Sequence, residues 1–111
     1  MTNAARDELK GKVLSLKDLV GYQKGTIASR MIVSNPAGNI TAFAFDEGEA
    51  LSEHTAPFDA VLTVLEGRAE ITIGGLPNHL ETGETIIMPA NIPHAVLATT
   101  RFKMALTMIR G

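Results

Sequence analysis

The chain contains no cysteine. Disulfides, thiolate nucleophiles, zinc fingers and iron–sulfur clusters are therefore excluded together. Histidine is scarce: His54, His79 and His94 are the whole supply of imidazole for a metal or a general base. Basic charge is not in excess either, with 10 Lys and Arg against 12 Asp and Glu and a net charge of −2. Arg101, Lys103 and Arg110 are too sparse to form a basic stripe, so no nucleic-acid partner is expected. No run of 18 apolar residues exists, which excludes a helical membrane span and implies no membrane partner. The first residues, Met-Thr-Asn-Ala-Ala-Arg-Asp-Glu, lack a basic start followed by an apolar run, so no secretory leader is expected. The expected compartment is the cytoplasm, with which the missing cysteines are compatible. Internal repeats and low-complexity segments are absent as well.

What is present is enough for one folded domain spanning 1–111, with about 1–10 as a polar, frayed tail. Hydrophobic residues make up 45% of the 111 and charged residues 20%, which is inconsistent with disorder. Val13–Leu16 reads as a short strand, and Lys17–Val20 as one helical turn ended by Gly21. Strands are then expected at Thr26–Ser34, Ile40–Phe45, Ala60–Leu65, Ala69–Ile73, His79–Glu81, Thr85–Met88, His94–Ala98 and Phe102–Ile109. Asn35–Asn39 is a turn by composition, and Gly74-Gly75 with Pro77-Asn78 forms a hairpin connection. Ala69, Ile71 and Ile73 alternate with Glu70 and Thr72, the period of a half-buried strand. Short strands separated by Gly and Pro turns predict an antiparallel all-β sandwich or barrel.

Two segments carry more than a β pattern. One runs from Gly48 through His54, Ala56 and Ala60 to Gly67; the other runs from Gly83 through Pro89, Asn91 and His94 to Ala98. In order and spacing they resemble the two signature motifs of the cupin superfamily, G-x5-H-x-H-x3-4-E-x6-G and G-x5-P-x-G-x2-H-x3-N. The resemblance implies a double-stranded β-helix, a small jelly-roll barrel with its pocket in the barrel mouth, and a homodimer. It also implies a divalent metal held by two histidines and a glutamate of the first motif and one histidine of the second.

On that pattern the metal positions include His54 and His94, but the second histidine position is Ala56 and the glutamate position is Ala60. The glycine and the final asparagine of the second motif are Asn91 and Ala98. Alanine has no donor atom, and a transition-metal site ordinarily keeps at least three protein ligands. No cofactor is therefore required by the sequence, and a metal on His54 and His94 alone would be incompletely held. Asp59 precedes Ala60 by one residue, and Glu53 precedes His54 by one. Strand alternation turns both away from the pocket unless a bulge near Pro57-Phe58 redirects Asp59.

The same alternation defines an expected ligand pocket: His54, Ala56, Ala60, Leu62 and Val64 on one side, with His94, Val96 and Ala98 facing them. His79 follows a turn, lacks motif support and is expected to be exposed. Met88, Met104 and Met108 read as core filler, and Phe43 and Phe45 as core or dimer interface. Gly48, Gly67 and Gly83 are expected to supply positive φ. Three functions remain open. The pattern favours a barrel that binds a small organic molecule, with the imidazoles orienting it. A divalent-metal enzyme (oxygenase, isomerase or decarboxylase) with an altered ligand set is the first alternative. A metal-free isomerase or epimerase using a histidine base is the second.

Overall fold

The computed structural model describes residues 8–110. Among them lie nine strands in two antiparallel sheets. β1 (Ile27–Asn35), β2 (Gly38–Phe45), β9 (Phe102–Ile109), β4 (Asp59–Glu66) and β7 (Thr85–Met88) pair in that order as a five-stranded sheet. β3 (Ala50–His54), β8 (His94–Ala98), β5 (Ala69–Ile73) and β6 (Leu76–Leu80) make the four-stranded sheet. After the first hairpin every connection except the β5–β6 hairpin crosses between the sheets, which is the jelly-roll, double-stranded β-helix architecture. No described helix is long and apolar enough to cross a membrane.

Strand period decides what is inside. Ala60, Leu62 and Val64 of β4, Ala69 and Ile71 of β5, and Val96 and Ala98 of β8 all turn into one core. Phe45, Phe102 and Met104 complete it, with Met88 packed beside them. Phe43 and Met108 pack against the edge of this cluster. Gly48, Gly67 and Gly83 all have positive φ, as their turn positions require. Gly67 is the most constrained of the three: at φ +77°, an added Cβ would lie 2.0 Å from the Arg101 carbonyl oxygen.

The N-terminal segment differs from the expectation. Val13–Leu16 is not a strand; it is irregular and leads into a single 3₁₀ turn at Leu16–Asp18. Leu14, Leu16 and Leu19 instead cap the outer face of β2, where they join Val20 and Tyr22 over Ala42 and Ala44. The apolar residues that looked like one strand face are a strap that finds a ready-made sheet surface. Tyr22 pins it by donating its O–H to Glu66 Oε2 at 2.5 Å, and Lys103 Nζ donates to the Lys17 carbonyl at 2.6 Å. Of the expected frayed tail, residues 8–10 form part of a turn, and 1–7 lie outside the described residues.

Two further boundaries move. Pro77 and Asn78 lie within β6 and not in the turn, which Gly74 and Gly75 make alone. β6 is an edge strand, so the missing Pro77 N–H costs no ladder bond to a further neighbour. Ala50–His54 is a strand although its side chains show no clean alternation. Its backbone pairing with β8, not its pattern, makes it one.

Candidate functional site

β3 ends on His54 and β8 begins on His94, and the pairing register sets these residues opposite one another. A bulge makes this possible. Leu51 pairs with Val96, and simple alternation from Leu51 would turn Glu53, not His54, towards that face. The register shifts between Leu51 and His54, and the shift brings the imidazole round.

The two rings meet edge to face, with centroids 4.4 Å apart and planes inclined by 71°. Their Nε2 atoms are 3.1 Å apart. Each Nδ1 meets a backbone carbonyl two residues upstream: His54 meets Ser52 O at 2.8 Å and His94 meets Ile92 O at 3.2 Å. A carbonyl oxygen only accepts, so each Nδ1 carries a proton and donates it. In two neutral rings both Nε2 atoms are then bare, and two lone pairs converge on one point. The 3.1 Å contact is a hydrogen bond only when one further proton lies between them.

The two rings differ in exposure. His94 is 5% exposed, whereas His54 reaches solvent. Burial pushes the His94 ring below its ordinary pKa; its bond to Ile92 O opposes this, and the neighbouring His54 reinforces it. His94 is therefore held towards its neutral form.

The sign of the pH effect follows. A depressed folded pKa means that His94 adds stability in full above its unfolded value near 6.5, and this is lost as pH falls through the folded value. Denaturant unfolding at pH 7.5 and pH 5 should show a loss of stability on acidification. A His94→Gln variant, which does not titrate, should show a smaller one. Equal slopes would place the pH dependence elsewhere.

The rest of the expected pocket divides by depth. Ala56 is half-buried in the β3–β4 connection, and its carbonyl accepts the Asn91 N–H at 2.7 Å. Ala60 is 2% exposed and pairs across the sheet with Met88 and Met108. Leu62, Val64, Val96 and Ala98 all lie inside the packed core. His79 is 71% exposed, 3.6 Å from Glu70, and lines a surface cleft of about 360 Å³ with Arg68, Leu80 and Thr99. Asp59 is exposed, and its Oδ1 accepts the Ala90 N–H at 2.8 Å. No bulge at Pro57-Phe58 turns it inward: β4 begins on Asp59 in regular register with Ile109. Glu53 is exposed as well.

These donors answer the metal question. An Nε2 separation of 3.1 Å suits two imidazoles held about 2.0–2.1 Å from one ion. Nδ1–H bonds to carbonyls are also the usual way of aiming such rings. However, Ala56 and Ala60 supply nothing, Asp59 is committed to Ala90, and the described residues contain no group of three or more His, Cys, Asp or Glu able to hold a metal. The chain fits half of a metal site, not a resident metal.

Three features of the site escaped the sequence: the paired carbonyl anchors, the Asp59–Ala90 bond and the conformation of Asn91. The last had a signal. Asn91 stands at the motif glycine and adopts φ +65°, the left-handed region that asparagine tolerates better than most side chains.

The profile of the Cupin domain family matches residues 42–110. No functionally curated protein matches. Among solved structures, a conserved Streptococcus pyogenes protein of unknown function is 39% identical, with a TM-score of 0.86 over 91% of this chain and 89% of that one. A cupin 2 conserved barrel domain protein from Leptotrichia buccalis is 42% identical with a TM-score of 0.82; the match covers 85% of this chain and 46% of that longer protein. A cupin superfamily protein from Desulfitobacterium hafniense is 25% identical, with a TM-score of 0.86 over 92% of this chain and 94% of its own length.

Proposed function

The chain belongs to the cupin family, and from that premise we propose that it is a small-molecule-binding barrel whose ligand meets the His54–His94 pair at the mouth. One observation carries this: both Nδ1 atoms are tied to carbonyls, so both Nε2 atoms converge on one point as acceptors. Such a point takes a donor, and the matching ligand class is a small hydroxylated or amino compound bringing O–H or N–H groups. Ligand donors would take the place of any proton between the rings, so binding should weaken on acidification.

The test is a panel of polyols, hydroxy acids and amines at pH 7.5, read by thermal shift and by 15N spectra of the histidine side chains. A true ligand should move both Nε2 resonances, leave both Nδ1 protons in place, and lose its effect in His54→Ala and His94→Ala. If no class moves the pair, while a divalent metal binds at one equivalent and moves both Nε2 signals, the metal reading replaces this one. The same tethered ring supports a second reading. An imidazole with its Nδ1–H anchored presents Nε2 as its proton-accepting atom, and a ligand that displaces the His54 contact would meet His94 as a general base. Deuterium uptake at a carbon of the bound ligand, abolished by His94→Gln, would make the protein a metal-free isomerase or epimerase.

A further inference from the structure

Asp59 lies one residue before the position where the family pattern has a metal-binding glutamate, yet it turns outward and bonds to the loop that carries His94. That loop, residues 89–93, is tied at each end. Ala90 N–H donates to Asp59 Oδ1 at 2.8 Å, and Asn91 N–H donates to the Ala56 carbonyl at 2.7 Å. At its far end the Pro93 carbonyl accepts the Gly74 N–H at 2.8 Å. Between the ties Asn91 sits at φ +65°, the left-handed region that turns the chain there. Ile92 follows directly, and its carbonyl is the acceptor that aims the His94 ring.

We propose that Asp59 is a positioning residue for the imidazole pair: it fixes the 89–93 loop, and the loop fixes the His94 tautomer. The carboxylate never touches the rings. It acts through three successive backbone positions, from the Ala90 N–H through the left-handed Asn91 to the Ile92 carbonyl. The connection also spans the two motifs. Asp59 opens β4, just after the Ala56 carbonyl that holds Asn91, so one short stretch secures the second motif's loop against the first. His54 takes its orientation separately, from Ser52 within β3.

The role matters for function because of the reading of the pair as the ligand-meeting group, but its test needs no ligand. In the ligand-free protein labelled with 15N-histidine, the wild type should show a protonated Nδ1 on both rings. Asp59→Ala should lose the fixed His94 Nδ1 proton, which becomes tautomer-averaged, while the His54 Nδ1 proton is retained. Asp59→Asn keeps an acceptor oxygen in place and should restore the wild-type His94 signal. An unchanged His94 signal in Asp59→Ala overturns the proposal, as does a loss of both signals in a folded Asp59→Asn. Should Asp59→Ala fail to fold, hydrogen exchange at the Ala90 amide of the wild type decides: protection supports the anchor, and exchange at the free-chain rate removes it. A fruitless ligand screen would leave these resonances readable, and a failed Asp59 test would leave ligand binding measurable.

Discussion

Replacing Phe102 with alanine should lower the unfolding free energy by about 3–5 kcal/mol, the range for truncating a buried phenylalanine. Aromatic residues are only 5% of the chain, four phenylalanines and one tyrosine. Two of those phenylalanines, Phe45 and Phe102, are fully buried and stack with centroids 4.6 Å apart and planes 31° apart. They are direct partners in the β2–β9 pairing and belong to the same core as Leu62, Ile71 and Met104. Removing one ring therefore leaves a cavity with another ring as its wall. The approach of Gly67 to Arg101 and Phe102 holds the backbone on the other side, so the space cannot close easily. A domain of this size is stable by about 5–15 kcal/mol, and this single truncation takes a large share of it. Urea unfolding measures the effect. The Phe45→Ala, Phe102→Ala double variant should lose less than the two single variants added together, because the ring–ring contact can be lost only once.

Which side chains turn inward was legible because strand alternation is a local property; that Leu62, Val64, Val96 and Ala98 fill a packed core, where the motif spacing suggested a pocket lining, was not. Once Ala60 is inward, Leu62 and Val64 follow, and the fold places all three in one cluster. The same rule failed at two places for a physical reason. In the N-terminal strap, leucines at 14 and 16 imitate a strand face, but Val13–Leu16 enters no strand pairing, and with Leu19 they cover β2 instead. In β3 the relevant feature is a register shift, which depends on the partner strand and leaves no mark in the alternation of Ala50–His54. The site shows the same division. Motif spacing brings His54 and His94 into view, and the β3–β8 pairing sets them opposite one another. The carbonyl anchors at Ser52 and Ile92, which determine the protons, belong to backbone geometry, and residue identity at those positions does not encode them.

Ala60→Glu should cost about 3–5 kcal/mol at neutral pH, the scale of an uncompensated buried charge. Ala60 is 2% exposed and pairs with Met88 on one side and Met108 on the other, so a carboxylate there loses its water and meets thioethers. The introduced glutamate would have a raised pKa in the folded state. The penalty should therefore be greatest at neutral pH and shrink as pH falls through that raised value, where the folded protein takes up the proton first. Denaturant midpoints at pH 7.5 and pH 5 check the sign, and this trend runs opposite to the His94 effect in the unaltered chain. Adding Ala56→His tests why two alanines stand beside a retained imidazole pair. If they are what separates this barrel from a metal site, the double variant should bind a divalent ion that the parent holds weakly. Metal at about 100-fold above its dissociation constant would then return about 2.7 kcal/mol. Recovery in the double variant and not in Ala60→Glu alone would show that the histidine pair already has the bite of a metal site and lacks only its other two donors. No recovery would mean that the rings are set for protons and ligand donors, whatever surrounds them.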